Sequence, residues 1–173
     1  MKKLILSALA LMLLVTTACK KSNDDNVTAA GSATVSATRY GFDGGTAGAF
    51  KSTKAGITEV SAAGITTFSV TAIRDGGTES ITIILLKKAA VGKYILGPSQ
   101  SNGGIIISKD YTKPGDAALN YSTDKSGAMQ GGAEVNITKL DGTTVEGTFY
   151  IVAYNSTGKE AYAEQGSFSG KIQ

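Results

Sequence analysis

Few residues in this chain have the type and spacing to do chemistry. Cys19 is the only thiol in 173 residues, and histidine is absent. Ser122-Thr123-Asp124-Lys125 has the serine-x-x-lysine spacing in which a lysine can activate a serine, but that chemistry needs a helix to bring the two together. Its flanks, Asn120-Tyr121 and Ser126-Gly127, read as a strand end and a turn, and no Ser-Asp-Asn or Lys-Thr-Gly partner accompanies it. Gly166-Ser167-Phe168-Ser169-Gly170 has the glycine spacing of a nucleophile elbow, yet Phe168 stands where the serine must be, so the stretch reads as a strand. Asp75, Glu79, Asp110, Asp116, Asp141, Glu146, Glu160 and Glu164 could supply a carboxylate pair for glycoside hydrolysis, but nearly all fall at turns or strand ends, the usual places of solvated charge. Without histidine, neither a Ser-His-Asp nor a Cys-His arrangement can form. The common zinc, copper and haem ligand patterns are missing, as are a calcium loop and any internal disulfide. The sequence therefore implies no metal, no cofactor and no catalytic residue, and the chain reads as a protein that is not an enzyme.

What surrounds Cys19 is more specific. Lys2 and Lys3 precede an apolar run over residues 4–15, broken only by Ser7, and the small residues Thr16-Thr17-Ala18 lead to the cysteine. That is the layout of an export signal. A run of about a dozen apolar residues is too short to cross roughly 30 Å of hydrocarbon as a helix, which argues against a permanent transmembrane anchor. The stretch resembles a bacterial lipoprotein signal, although Thr16 stands where that pattern has an aliphatic residue. The resemblance implies cleavage between Ala18 and Cys19, acylation of the Cys19 thiol, and attachment to a membrane through its acyl chains. Residues 1–18 are then the signal, and residues 19–32 are the lipidated cysteine and a polar, period-free tether. Ser22-Asn23-Asp24-Asp25 also resembles the acidic signal that routes some lipoproteins outward, which implies the bacterial outer membrane and exposure at the cell surface; an acidic tether with no routing role is the competing account. Lys2 and Lys3 leave with the signal, so 17 basic and 14 acidic residues become 15 against 14. So even a balance gives no electrostatic case for nucleic acid.

Residues 33–173 are long enough for one β-domain with its own core. Short runs of Val, Ile, Thr, Phe and Tyr alternate with glycine-rich breaks such as Asp43-Gly44-Gly45, Asp75-Gly76-Gly77, Asn102-Gly103-Gly104 and Asp141-Gly142. The fold class is all-β, an antiparallel β-sandwich or partly open barrel of about ten strands. Strands are predicted over 34–40, 56–62, 65–74, 79–87, 93–96, 105–109, 119–123, 133–139, 144–154 and 162–172, with room for one helical turn near Asp116-Ala117-Ala118. The segment 81–86 is apolar on both faces, which predicts a strand covered on both sides or crossing between sheets. Gly166, Phe168, Gly170 and Ile172 share a face, so the chain should end inside the fold. For the hairpin joining 133–139 to 144–154, a loop of Leu140, Asp141 and Gly142 pairs Ile137 with Val145 and Ala133 with Phe149, keeping apolar residues on one face.

The carboxyl-terminal half carries a second resemblance. Gly92-Lys93-Tyr94-Ile95-Leu96, the stretch 132–141, Val145-Glu146-Gly147-Thr148-Phe149 and Gly166-Ser167-Phe168 resemble a domain-of-unknown-function family of small bacterial lipoproteins. The resemblance implies an envelope location and a β-domain, and it brings no activity. Two function classes follow. The first is a membrane-anchored, non-catalytic binding or structural module whose partner is a glycan or an envelope protein. The second is an envelope hydrolase acting on glycans through carboxylates assembled from loops. The candidate binding face is Tyr150 with Tyr154, because both fall on the opposite side of their strand from Val145, Phe149 and Ile151, about 13 Å apart at roughly 3.3 Å per residue. Packing under the returning strand at Tyr162 is the competing account of the pair.

Overall fold

The computed structural model describes residues 31–124 and 129–173. The signal, Ala18, Cys19, nearly all of the tether and Lys125 lie outside the described residues. Ten strands follow in order: β1 (Ala33–Phe42), β2 (Gly48–Ala62), β3 (Ile65–Ile73), β4 (Ser80–Leu85), β5 (Gly92–Leu96), β6 (Gly103–Ser108), β7 (Asn120–Ser122), β8 (Gly132–Asp141), β9 (Thr144–Tyr154) and β10 (Glu160–Lys171). Every pairing between these strands is antiparallel. Neighbours run β10-β1-β2-β3-β4-β6-β7-β9, and the β9–β10 pairing closes these eight into a barrel. Of the two all-β architectures expected, the barrel is the one formed, and its ring is closed. β8 pairs with β9 and carries β5 on its far side, so this two-stranded extension stands beside the short β7 on the same edge of β9.

Alternation fills the barrel. Val35 and Ala37, Phe68, Val70 and Ala72, Ile81, Ile83 and Leu85, Ile105 and Ile107, and Val145, Phe149, Ile151 and Ala153 all point inward and are buried, while their neighbours face out. The predicted turn at Asp116-Ala117-Ala118 is a run of hydrogen-bonded turns rather than helix, with Asn120 Nδ2 donating to the carbonyls of Lys113, Pro114 and Asp116. Residues 48–55 of β2 escaped the sequence reading because Ser52 occupies a buried position and Lys51 and Lys54 flank it, which hides the apolar alternation. β4 is not covered on both sides. Its inner face fills the barrel, while Ile84 is half-buried on the outer wall, followed by exposed Leu86 and near exposed Ile106 of β6.

The β8–β9 hairpin keeps apolar residues on one face by a different device from the one expected. Its loop has two residues, Gly142 and Thr143, with Gly142 at φ +58°, as a type II′ turn requires at its first central position. Asp141 pairs with Thr144 and Lys139 with Glu146, but beyond the extra residue Thr138 the register shifts, so Ile137 meets Gly147 and Val135 meets Phe149. A β-bulge, not a longer loop, returns Ile137 to the core.

Two reciprocal contacts tie β9 to β10. Phe168 pairs with Gly147, and Phe149 pairs with Gly166. A Cβ added at Gly147 would stand 2.3 Å from Phe168 Cζ, and one added at Gly166 would stand 2.3 Å from Phe149 Cε2. Each ring therefore occupies the space above the other strand's glycine, covering backbone that would otherwise be bare. This is the physical content of the Val-Glu-Gly-Thr-Phe and Gly-Ser-Phe stretches.

The antiparallel order sorts the loops into two poles. The start of β1 and the end of β10 share one pole, where Ile172 pairs with Ile57 and Gln173 N donates to Ile57 O. Loops 43–47, 74–79, 109–119 and 155–159 gather at the other.

Candidate functional site

Tyr150 and Tyr154 both lie on the outer wall of the barrel, but in different surroundings. Tyr150 is 49% exposed and borders a surface hollow of about 460 Å³ whose rim includes Glu134, Thr148, Gln165 and Ser167. Across the strands it stands directly opposite Glu134. Glu134 in turn accepts an ion-pair contact from Lys93 Nζ at 3.0 Å. Tyr154 is half-buried and donates its hydroxyl proton to Glu160 Oε2 at 3.0 Å. That bond holds the Tyr154 hydroxyl above its ordinary pKa, with burial adding to the effect. Between them, half-buried Val152 pairs with Tyr162. The wall thus leaves one tyrosine ring open and engages the other.

The backbone beneath the open ring is unusual. Gln165 has φ +52°, a left-handed conformation that side chains other than glycine, asparagine and aspartate rarely adopt. It sits in the bulge of β10 where the register shifts between Ala163 and Gly166. The chain must place Gly166 under Phe149 and Ala163 opposite Ile151, and the extra residue between them turns outward. Nothing in the sequence around Gln165 announces a bulge, since glycine is the usual sign of one and here it falls one residue later.

The far pole holds a second concentration of polar groups. Lys109 Nζ lies 2.9 Å from Asp43 Oδ2, 4.8 Å from the centre of the Phe42 ring and 5.9 Å from that of Tyr121. The hydrogen bond to Asp43 keeps the ammonium above its usual pKa against the opposing effect of burial. Arg74 pairs with Glu79, which likewise raises the guanidinium. Tyr40 is 3% exposed, its ring packed edge-on to Phe42 at 5.3 Å between centres, and its hydroxyl has no hydrogen-bond partner among the described residues. Burial pushes that hydroxyl far above the phenol range, and the Glu79 carboxylate adds to the push. Asn155, buried beneath the same pole, donates from Nδ2 to Ala118 O at 2.7 Å, while its Oδ1 accepts from the amides of Thr157 and Lys159. It binds loop 155–159 to loop 109–119. An asparagine followed by Ser-Thr-Gly signals a turn, but its burial required the neighbouring loop.

The carboxylates raised as hydrolytic candidates are spread over the barrel. Glu79 pairs with Arg74, Asp110 with Lys113, Glu146 with Lys139 and Glu164 with Arg39. Asp75 accepts from the amide and hydroxyl of Thr53, Asp116 from the amide of Ala118, and Glu160 from Tyr154. Among the described residues no three Asp, Glu, Cys or His side chains gather as metal ligands. Ser122 accepts a hydrogen bond from the amide of Asp124 at the end of β7, with Lys125 outside the described residues. Ser167 and Ser169 point outward from β10, and Phe168 points in, as a strand requires.

Comparison with the curated proteins and with the solved structures gives no match. A family model described as a domain of unknown function, DUF6252, matches residues 48–170, from the start of β2 to near the end of β10. With its second to ninth strands and nearly all of the tenth inside that match, the chain belongs to the DUF6252 family.

Proposed function

We propose that this protein is a membrane-anchored lipoprotein of the bacterial outer membrane whose β-barrel, residues 33–173, is a non-catalytic binding module. The anchor reading rests on Lys2, Lys3, the apolar run and Ala18-Cys19. Acyl chains on Cys19 contribute on the order of 0.8 kcal/mol per buried methylene, enough for several chains together to hold the protein to a bilayer. The described domain supports the reading by its polarity: β1 begins at the pole where the chain also ends, so a tether entering there leaves the wall at Tyr150 and the far-pole loops free to meet a partner.

The observation that carries the binding reading is the contrast between wall and interior at β9. Phe149 and Ile151 are buried in the barrel, while Tyr150 between them is presented to solvent beside a surface hollow whose rim includes Glu134, Thr148, Gln165 and Ser167. Aromatic anchors with a polar rim are the usual energetic centres of recognition surfaces. Paired carboxylates spread over separate strands and turns support a non-catalytic role over the hydrolase alternative. The test is fractionation of cells expressing the full chain. The native protein should sediment with membranes and Cys19→Ala should not, and intact-mass analysis should find an acylated chain lacking Lys2 and Lys3. An unmodified thiol on a chain that retains both lysines overturns the anchor.

A further inference from the structure

We propose that the hollow beside Tyr150 is a carbohydrate subsite for a neutral oligosaccharide, with Tyr150 as its stacking platform and Gln165 as its hydrogen-bonding side. The assignment rests on the binding-module reading and supplies its ligand class. Three observations carry it. The first is the ring: Tyr150 is the half-exposed member of the two wall tyrosines, an aromatic surface of the kind on which the flat, C–H-rich side of a sugar stacks. The second is the strain at Gln165. A left-handed glutamine costs free energy that glycine at the same place would not, and such residues persist where the surroundings impose them, often at ligand sites. Here the Phe149–Gly166 contact imposes it, and the result is an exposed amide, donor and acceptor together, on the same hollow as Tyr150. The third is charge. Glu134, the one charged residue lining the hollow, is paired with Lys93 at 3.0 Å, and the rest of the polar rim is Thr148, Gln165 and Ser167. A phosphate, a nucleic acid or an acidic peptide would find no cationic side chain lining the hollow, whereas a neutral polyol finds hydroxyls, an amide and a ring.

The site is built on strands rather than loops. Glu134, Thr148 and Tyr150, and Ser167 come from β8, β9 and β10, which are paired along most of their lengths. Ser167 is further tied to Ser36 of β1, hydroxyl to hydroxyl at 3.0 Å. Strand pairing holds the backbone that carries these side chains, so docking a sugar need order little main chain, which favours affinity from a small contact.

The experiment is calorimetric titration of the full chain, solubilised in a detergent without a sugar headgroup, with four neutral hexasaccharides: cellohexaose, chitohexaose, xylohexaose and maltohexaose. At least one should bind saturably. Tyr150→Ala should weaken it by about tenfold or more, as loss of an aromatic anchor does. Gln165→Gly is the decisive variant, because glycine relieves the left-handed strain while deleting the amide. It should melt at the native temperature or above and still bind the sugar about fivefold or more weaker, the loss of one or two hydrogen bonds. Were Gln165 merely a structural bulge residue, Gln165→Gly would gain stability and bind as before, and the proposal would fall. It falls equally if none of the four sugars binds, or if Tyr150→Ala binds normally. Tyr150-dependent binding of a purified envelope protein without sugar binding also overturns it, and leaves the binding-module reading standing. Sugar binding lost in both variants supports the subsite even where Cys19 proves unacylated, in which case the anchor alone is wrong.

Discussion

The contact between Phe149 and Gly166 should be measurable as a coupling energy. An alanine Cβ at position 166 would lie 2.3 to 2.5 Å from three atoms of the Phe149 ring. Ordinary carbon contacts begin near about 3.5 Å, so the ring must retreat by about 1 Å in a core where it is already buried. Overpacking of this kind costs about 1–3 kcal/mol. Phe149→Leu removes Cε2 and Cζ, two of the three ring atoms that the new methyl would meet, and lets the remaining Cδ turn aside, at about 1–2 kcal/mol, part of the 3–5 typical of full truncation to alanine. If the contact is as described, the clash disappears in the double variant, which should then be about as stable as Phe149→Leu alone. Urea unfolding followed by far-ultraviolet circular dichroism reads this directly. With a slope of about 2 kcal/mol per molar, Gly166→Ala should lower the midpoint by about 1 M and Phe149→Leu by about 0.5–1 M, and adding the first to the second should lower it little further. Strictly additive losses in the double variant would show that the ring does not lie over Gly166. The account of the Gln165 bulge would then lose its cause.

Other perturbations separate the remaining contacts. Tyr40→Phe deletes a buried hydroxyl without a partner among the described residues, an arrangement that costs about 1–3 kcal/mol, so the melting temperature at pH 7 should rise by about 2 °C or more, and a fall would show that the hydroxyl is satisfied. Because the folded Tyr40 hydroxyl titrates above its unfolded value of about 10, its contribution is fully present below that pH and is lost as pH rises toward the folded value. The native protein should therefore lose more stability than Tyr40→Phe between about pH 10 and 12, measured by thermal melts across that range. Tyr154→Phe should cost about 1 kcal/mol through the lost bond to Glu160, whereas Tyr150→Ser should stay within about 0.5 kcal/mol of native; the reverse order in thermal melts would exchange the roles of the two rings. Asn155→Ala should cost about 2–3 kcal/mol and speed amide hydrogen exchange in both the 109–119 and 155–159 loops, and a change confined to one loop would contradict the bridge to Ala118.

The all-β class, a count of about ten strands and most of their positions are legible in the residues alone. Alternation with period two and glycine-rich breaks are local properties, and a strand's inner face is written in its own residues, as at Val145, Phe149 and Ile151. The sequence also placed Tyr150 and Tyr154 on the outer wall, because the same alternation that sends Phe149 in sends Tyr150 out. Which partner covers each face was beyond local reach. The segment 81–86 looks like a doubly buried strand until closure of the barrel leaves the side of Ile84 and Leu86 outside. The bulge at Thr138, the outward turn at Gln165 and the engagement of Tyr154 by Glu160 each depend on a strand or loop elsewhere in the chain. Side-chain period is set by the backbone of one strand, whereas register and ring-over-glycine contacts are set by two. Only when β9 and β10 lie side by side does Phe149 claim the space above Gly166, push Gln165 outward and give the wall its hollow.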